Sequence, residues 1–293
     1  MKILFINKNN WPHVGGVEKH IFKLSQNLKK EGHKVKVLSS DGNGDYNINY
    51  PKIKYLGLFV IWLQLFKLRK TILNFDIIHI NDVFIWYLPL KLLHPKKKVY
   101  VTFHGWEGKY PIPILSKMQK KIAWILASGS ISVGNYINKW YGIKSDYVTY
   151  GGVNKQVDKR FTKIKNSVVF LGRLEKDTGI KKFLKRLSVY KYNNVTFVGD
   201  GVFRSECEKY SKVTGFTDPK SYLMKAEYAV PGGYLSYLEA LSYKCKIIVY
   251  PDNNLKKDYW NEIIKNIPIG TRLNLLPSWQ SVVNTYLKLW KVL

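Results

Sequence analysis

Three short stretches hold the side chains of this sequence best suited to chemistry on a phosphate-bearing, hydroxyl-rich molecule. Phe103-His104-Gly105-Trp106-Glu107 places a histidine just past an apolar run, Gly172-Arg173-Leu174 places a guanidinium after another, and Tyr237-Leu238-Glu239-Ala240 places a carboxylate on a helix. A polar side chain beyond the carboxyl end of a strand faces the ligand side of an open α/β sheet. There, His104 can hydrogen-bond a hydroxyl in either ring tautomer and support positive charge developing on its ligand; the plain alternative is a histidine satisfied by backbone. Arg173 can stabilise a departing diphosphate without a metal, because its planar fork meets phosphate oxygens through parallel donors. In this order, over two halves of one chain, the three stretches suggest a sugar-nucleotide site.

The elements that must position these residues alternate throughout. Lys2 to Asn7, Lys34 to Ser39, Asp76 to Ile80, Lys98 to Phe103 and Gly129 to Val133 read as strands, with helices such as Val17 to Glu31 and Ile114 to Ala127 between them. A second series runs through Ser167 to Leu171, Val195 to Val198, Lys212 to Gly215, Tyr228 to Val230 and Lys246 to Tyr250. Apolar runs flanked by helices imply parallel sheets covered on both faces. At 293 residues the chain can bury two modest cores. The reading divides it into a domain over 1–152, a polar linker over 153–166, a second domain over 167–276, and a terminal helix over 277–293 that packs back on the first domain.

Glycine loops supply further candidates. Asn10-Trp11-Pro12-His13-Val14-Gly15-Gly16-Val17-Glu18 joins a strand to a helix, and its paired glycines, Gly15 and Gly16, allow close backbone approach. They lack the spacing of a dinucleotide fingerprint, and turn chemistry explains them equally well. Val198-Gly199-Asp200-Gly201 and Gly215-Phe216-Thr217 follow later strands, and each is a weak signal alone.

Taken in order, these motifs resemble the retaining glycosyltransferases of family 4. The resemblance implies the GT-B architecture, an α/β fold of two facing Rossmann-like domains with parallel sheets and a cleft between them. It also implies roles: Gly15 and Gly16 near the donor diphosphate and acceptor, His104 on the transferred sugar, Arg173 on the leaving diphosphate, and Gly199, Gly215, Phe216 and Thr217 around the nucleotide. Glu239 would hold the ribose and the amides of Tyr234, Leu235 and Ser236 the diphosphate. Two departures stand out. The family's lysine after the arginine is Thr178 here, with Lys176 nearby as a substitute, and the first glutamate of the family's acidic pair is unmatched, either because Pro231 stands in its place or, in an equally good alignment, because of a short deletion before Tyr234.

Bulk composition narrows the alternatives. The 48 Lys+Arg against 20 Asp+Glu give a formal net charge of +28, a field that attracts nucleic acid, anionic membrane or phosphate-bearing substrates without choosing among them. The lysines are scattered and no nucleic-acid-binding motif accompanies them, so specific nucleic-acid recognition is a rival and not the leading reading. Two cysteines, Cys207 and Cys245, imply no disulfide framework. The amino-terminal apolar run is too short for a signal peptide, so the expected home is the cytoplasm. No CxxC, HExxH or Walker loop is present, which disfavours a metal or a bound cofactor. The runs Leu56 to Phe66 and Phe84 to Leu88 are shorter than the roughly 20 residues of a membrane span. They read as buried helices or as an interfacial anchor, since Lys67, Arg69 and Lys70 follow the first, and Lys117, Lys120 and Lys121 share a helix with Ile114, Leu115 and Trp124.

The expected activity is therefore metal-independent, retaining transfer of a sugar from a nucleotide donor, a UDP- or GDP-sugar, to a hydroxyl of a glycan or lipid-linked acceptor, with peripheral contact to an anionic membrane face. The second reading is a catalytically silent relative that binds a nucleotide-sugar or a glycan.

Overall fold

The computed structural model describes residues 1–51, 56–105, 110–154 and 161–291. The chain forms two compact units, Met1–Thr149 with Trp279–Leu293, and Tyr150–Ser278.

In the first unit the order is β1 (Lys2–Ile6), α1 (Gly16–Lys30), β2 (Lys34–Ser39), β3 (Tyr46–Asn47), α2 (Leu56–Lys67), α3 (Arg69–Leu73), β4 (Ile77–Asn81), α4 (Phe84–Leu93), β5 (Val99–Phe103), α5 (Ile114–Leu126), β6 (Gly129–Val133), α6 (Tyr136–Tyr141) and β7 (Tyr147–Thr149). The seven strands pair in the order β3-β2-β1-β4-β5-β6-β7, all parallel. Every residue of β4 and β5 is buried, as continuous apolar runs require when helices cover both faces. The chain works outward from β1 in one direction and restarts at β4 in the other. The β1/β4 junction is therefore the switch point where open α/β sheets bind ligands.

In the second unit β8 (Ile164–Leu171), α7 (Ile180–Leu187), β9 (Asn194–Val198), α8 (Arg204–Glu208), α9 (Lys220–Lys225), β10 (Ala226–Pro231), α10 (Tyr234–Ser242), β11 (Lys246–Ile247) and α11 (Asn254–Asn266) give a parallel sheet ordered β11-β10-β8-β9. Its switch point lies between β8 and β10. Phe170, Phe183 and Phe197 pack ring against ring beneath it.

Two strand readings differ from the structure. Lys212 to Gly215 forms only isolated bridges, Val213 to Phe197 and Gly215 to Gly199, because Val213 alone buries a side chain and Gly215 turns to φ +70°. Of Lys246 to Tyr250, only Lys246 and Ile247 join the ladder. The last helix, α12 (Trp279–Leu289), packs against α1 and β7 of the first unit and buries Tyr286 in its core. Residues 155–160 of the expected linker lie outside the described residues.

Candidate functional site

The residues singled out by chemistry fall into two sets, one in each unit. In the first, Asn7 follows β1, Asn81 ends β4 and His104 follows β5, so three polar side chains stand at the carboxyl ends of three adjacent strands. His104 Nε2 lies 2.9 Å from Asn81 Oδ1. A carboxamide oxygen only accepts, so Nε2 carries the proton and Nδ1 keeps a bare lone pair. That Nδ1, the Asn81 Nδ2 and the Asn7 Oδ1 are all buried and make no hydrogen bond among the described residues. More than nine in ten buried polar groups in proteins are satisfied, so three orphans on neighbouring strand ends mark a place built for a polar ligand. Two of them, Asn7 and Asn81, were passed over in the sequence because asparagines inside apolar runs carry no motif.

Electrostatics keep His104 neutral. Burial and then the nearby Lys120 ammonium push its pKa down to about 3. Lys120 is anchored 2.8 Å from Asp82 Oδ1, and the Asp82 carboxylate also accepts the His104 backbone N–H. Asp82 holds φ +58°, a left-handed turn that aspartate tolerates better than most residues. Behind His104 the ring of His20 meets it edge-on at 5.0 Å. His20 Nε2 is 3.2 Å from the Tyr286 hydroxyl, which is 2.9 Å from Thr102 Oγ1. Trp290 donates to His79 Nδ1 at 3.1 Å, so the His79 proton sits on Nε2 and is donated to Thr102 at 2.7 Å. Trp106 and Glu107, next along the chain, lie outside the described residues.

Gly15 caps α1 in extended backbone, and a Cβ there would strike the carboxylate of Glu18, which folds back over the helix start. Open space surrounds the Cβ position of Gly16. The Glu18 carboxyl is raised in pKa by burial and lies 3.6 Å from His13 Nδ1. With a carboxylate already at these amides, the start of α1 suits a hydroxyl donor better than a diphosphate.

The second set gathers at the β8/β10 switch point. Gly172 follows β8, Gly199 follows β9 and Gly232 follows β10, and they touch through backbone. A Cβ on Gly172 would lie 3.1 Å from the Gly232 Cα, and one on Gly199 would collide with the Gly172 carbonyl. Both Gly172 and Gly199 also hold positive φ, +144° and +157°. Side chains are thus excluded where a ligand backbone could pass. Arg173 is exposed, and its Nη2 donates to Asp177 Oδ2 at 3.0 Å, which fixes the guanidinium. Lys176 stands on the short 3-10 turn Lys176–Thr178, exposed. The Thr178 hydroxyl is committed to the Glu175 carbonyl at 2.7 Å.

Gly233 caps α10, and its N–H donates to Ser236 Oγ at 3.1 Å. Tyr234 and Leu235 are buried against Gly151, and the Tyr234 amide bonds the Tyr259 hydroxyl, so this amide is already partnered. Glu239 lies one turn further on, partly buried. Pro231 closes β10, fully inside. Gly215, with φ +70°, has open space before it, and Phe216, 44% exposed, presents a ring beside Thr217 at this edge of the sheet. Among the described residues no cluster of His, Cys, Asp or Glu could hold a metal ion.

Two units, each a parallel sheet wound outward from a switch point, match the GT-B fold. Residues 14–155 match the family model described as Glycosyltransferase Family 4. Among solved structures, an alpha-glucosyltransferase (AGT) in complex with UDP superposes with a TM-score of 0.62 at 11% identity, covering 99% of each chain. The UDP-GlcNAc 2-epimerase from Methanocaldococcus jannaschii does so at 0.58 and 14% identity, covering 98% of each. TarM matches at 0.56 and 12% identity over 80% of this chain, which spans 58% of the length of TarM. No curated protein matches the chain by sequence.

Proposed function

We propose that this chain is a glycosyltransferase of family 4 that moves a sugar from a nucleotide-sugar to an acceptor hydroxyl, with retention and without a metal. The observation that carries the reading is the row of buried polar atoms on Asn7, Asn81 and His104, at the strand ends of the first unit, that find no partner among the described residues. A sugar ring offers both the donors that Asn7 Oδ1 and His104 Nδ1 can accept from and the acceptors that Asn81 Nδ2 can donate to. The match of residues 14–155 to the family supports the same half, and UDP in a structural neighbour supports a uridine donor.

In the proposed reaction the bond from the anomeric carbon to the β-phosphate oxygen breaks and the bond to the acceptor oxygen forms on the same face. The acceptor proton passes to the departing phosphate. Arg173 meets the negative charge that develops there, as an oriented cation in a preorganised site. Glu239 accepts from ribose hydroxyls, and Phe216 offers a face to the base. The neutral His104 accepts a sugar hydroxyl at Nδ1. It supports the oxocarbenium-like centre through its lone pair and not by a charge change.

The missing first glutamate at Pro231 favours one second reading, a relative that binds the donor and does not turn it over. A panel of UDP-, GDP-, ADP- and dTDP-sugars, incubated with wild type, Arg173→Ala and Glu239→Ala, tests both. Release of one free nucleotide, lost in both variants, supports transfer; binding without release supports the silent relative. NMR of the released sugar separates hydrolysis at the anomeric carbon from inversion at C2, the reaction named for one structural neighbour.

The acceptor is proposed to be lipid-linked and reached from an anionic membrane face. On α5, Ile114, Leu115, Met118, Ile122 and Ile125 form one stripe at helical spacing, all exposed, and Ile114, Leu115 and Ile125 are 76%, 65% and 68% exposed. Lys117 and Lys121 border it. On α2, Leu56, Phe59, Leu63 and Phe66 do the same, with the Arg69 guanidinium 4.2 Å above the Phe66 ring. Helix α4 packs against both. No helix among the described residues is long and apolar enough to cross a membrane.

A further inference from the structure

Where the family carries a lysine beside the arginine, this chain has Thr178, a short, buried side chain whose hydroxyl is spent on the Glu175 carbonyl. Its Cβ nevertheless faces the right place, 3.5 Å from a Cβ built on Gly232 at the switch point. A lysine from another element reaches the same neighbourhood. Lys256, in the first turn of α11, has a side chain only 14% exposed, and its Nζ lies 3.9 Å from Asp177 Oδ2. That oxygen is the one that accepts from Arg173 Nη2 at 3.0 Å, so the guanidinium and the ammonium converge on one carboxylate atom.

Local sequence holds Lys256 there. Asn253 caps α11, and its Oδ1 accepts the Lys256 backbone N–H at 2.9 Å. Three residues on, and so on the same helix face, the Tyr259 hydroxyl accepts the first amide of α10. One face of α11 therefore touches both parts of the expected diphosphate subsite, the Arg173–Asp177 pair through Lys256 and the α10 start through Tyr259. Burial pushes the Lys256 pKa down and the neighbouring Arg173 adds to this, while Asp177 and Asp252 oppose it. The Lys256 ammonium, which also lies 5.1 Å from the Tyr259 ring centroid, and the Arg173 guanidinium thus put two positive charges on one side of the switch point, an arrangement that suits an arriving anion.

Resting on the glycosyltransferase reading, we propose that Lys256 is the second cation of the diphosphate subsite, partnering Arg173 on the leaving group in the role that the exposed Lys176 was expected to fill. Titration of UDP, GDP, ADP and dTDP, and of the matching nucleosides, against wild type, Lys256→Gln, Lys256→Arg and Lys176→Gln tests it. Two results are expected together. Lys256→Gln weakens the preferred nucleoside diphosphate about 10- to 100-fold while leaving the nucleoside unchanged, and Lys256→Arg recovers most of the loss. Lys176→Gln stays within about twofold of wild type, because an exposed ammonium is screened. Should Lys256→Gln fail to fold, Lys256→Met, which keeps the aliphatic stem, carries the same comparison. Equal loss of nucleoside and diphosphate would mean a structural role and overturn the proposal. So would wild-type diphosphate affinity in Lys256→Gln, or a loss confined to Lys176→Gln, although in these two cases the glycosyltransferase reading stands. A wild type that binds no nucleoside diphosphate sinks that reading and this inference with it.

Discussion

Mild acid should unfold the first unit and spare the second. All six histidines, His13, His20, His33, His79, His94 and His104, precede residue 150, so the second unit has none. Burial holds His20 and His79 well below the ordinary value of 6.5 and His104 at about 3. In the unfolded chain each titrates near 6.5. A base whose folded pKa is depressed leaves the unfolded state binding more protons between the two values, so stability rises with pH across that window and falls as pH drops through 6.5. From pH 7 to pH 5 a histidine held at about 3, as His104 is, costs about 1.9 kcal/mol, and the depressed His20 and His79 add to the loss in the same direction. A typical domain has about 5 to 15 kcal/mol in hand. Glu18, raised by burial, works in the opposite direction at the acid end. Asp41 and Asp45, held low, lose their contribution only below the window.

Hydrogen exchange read peptide by peptide at pH 7, 6 and 5, with intrinsic rates corrected for pH, gives the opening free energy of each unit separately. Slow amides of β1, β4 and β5 should lose several kcal/mol of protection while those of β8 and β10 hold. Replacing His20 by glutamine should remove part of the loss. Flat protection of the first unit down to pH 5, or an equal loss in both units, would refute the reasoning.

Three further outcomes follow from single contacts. Gly199→Ala, which needs φ +157° and collides with the Gly172 carbonyl, should destabilise the second unit by about 3 kcal/mol in denaturant, whereas Gly215→Ala, strained but in open space, should cost about 1 kcal/mol. Tyr286→Phe removes the hydroxyl between Thr102 and His20 and should cost the first unit about 1 to 2 kcal/mol by the same measurement. Replacing Ile114, Leu115 and Ile125 together by serine should leave the melting temperature unchanged and weaken co-sedimentation with anionic phosphatidylglycerol vesicles at least tenfold, since each buried side chain contributes about 1.5 to 3 kcal/mol. Unchanged sedimentation would remove the membrane from the picture.

Strands with long buried runs were legible to within a residue or two, because a short run such as Val99 to Phe103, rich in β-branched and aromatic residues, favours a buried strand over a helix. The Lys212 to Gly215 strand was misread because a lone valine between lysine and glycine is enough for a pattern but too little for a ladder. The helices α2 and α5 were recognised, yet their exposed apolar stripes were not distinguishable from core-facing ones, since periodicity reveals a face and not what lies against it. The motif residues Arg173 and Glu239 could be picked out because they sit at fixed steps from glycines. Asn7, Asn81 and Lys256 could not, because their meaning lies in what strand ends and helix α11 bring beside them.

The same distinction explains why one cation of the subsite can migrate along the chain and the other cannot. An arginine acts through a planar fork whose two donors must lie along phosphate oxygens, so its backbone origin and its orienting carboxylate are part of its function. Asp177, one turn after Arg173, fixes that plane. A lysine acts as a compact charge with freely rotating donors, and any element that delivers the ammonium to the same point will serve. Thr178 is therefore a tolerable loss from the loop after β8 as long as α11, capped by Asn253 and tied to α10 through Tyr259, carries Lys256 to Asp177. It follows that Arg173→Lys should not be rescued by placing arginine at 256, because the point charges would be exchanged while the fork would arise from a different backbone origin, on α11, and approach Asp177 from another direction. A double variant that recovered wild-type affinity for the diphosphate would show that charge alone, and not direction, is what the subsite requires.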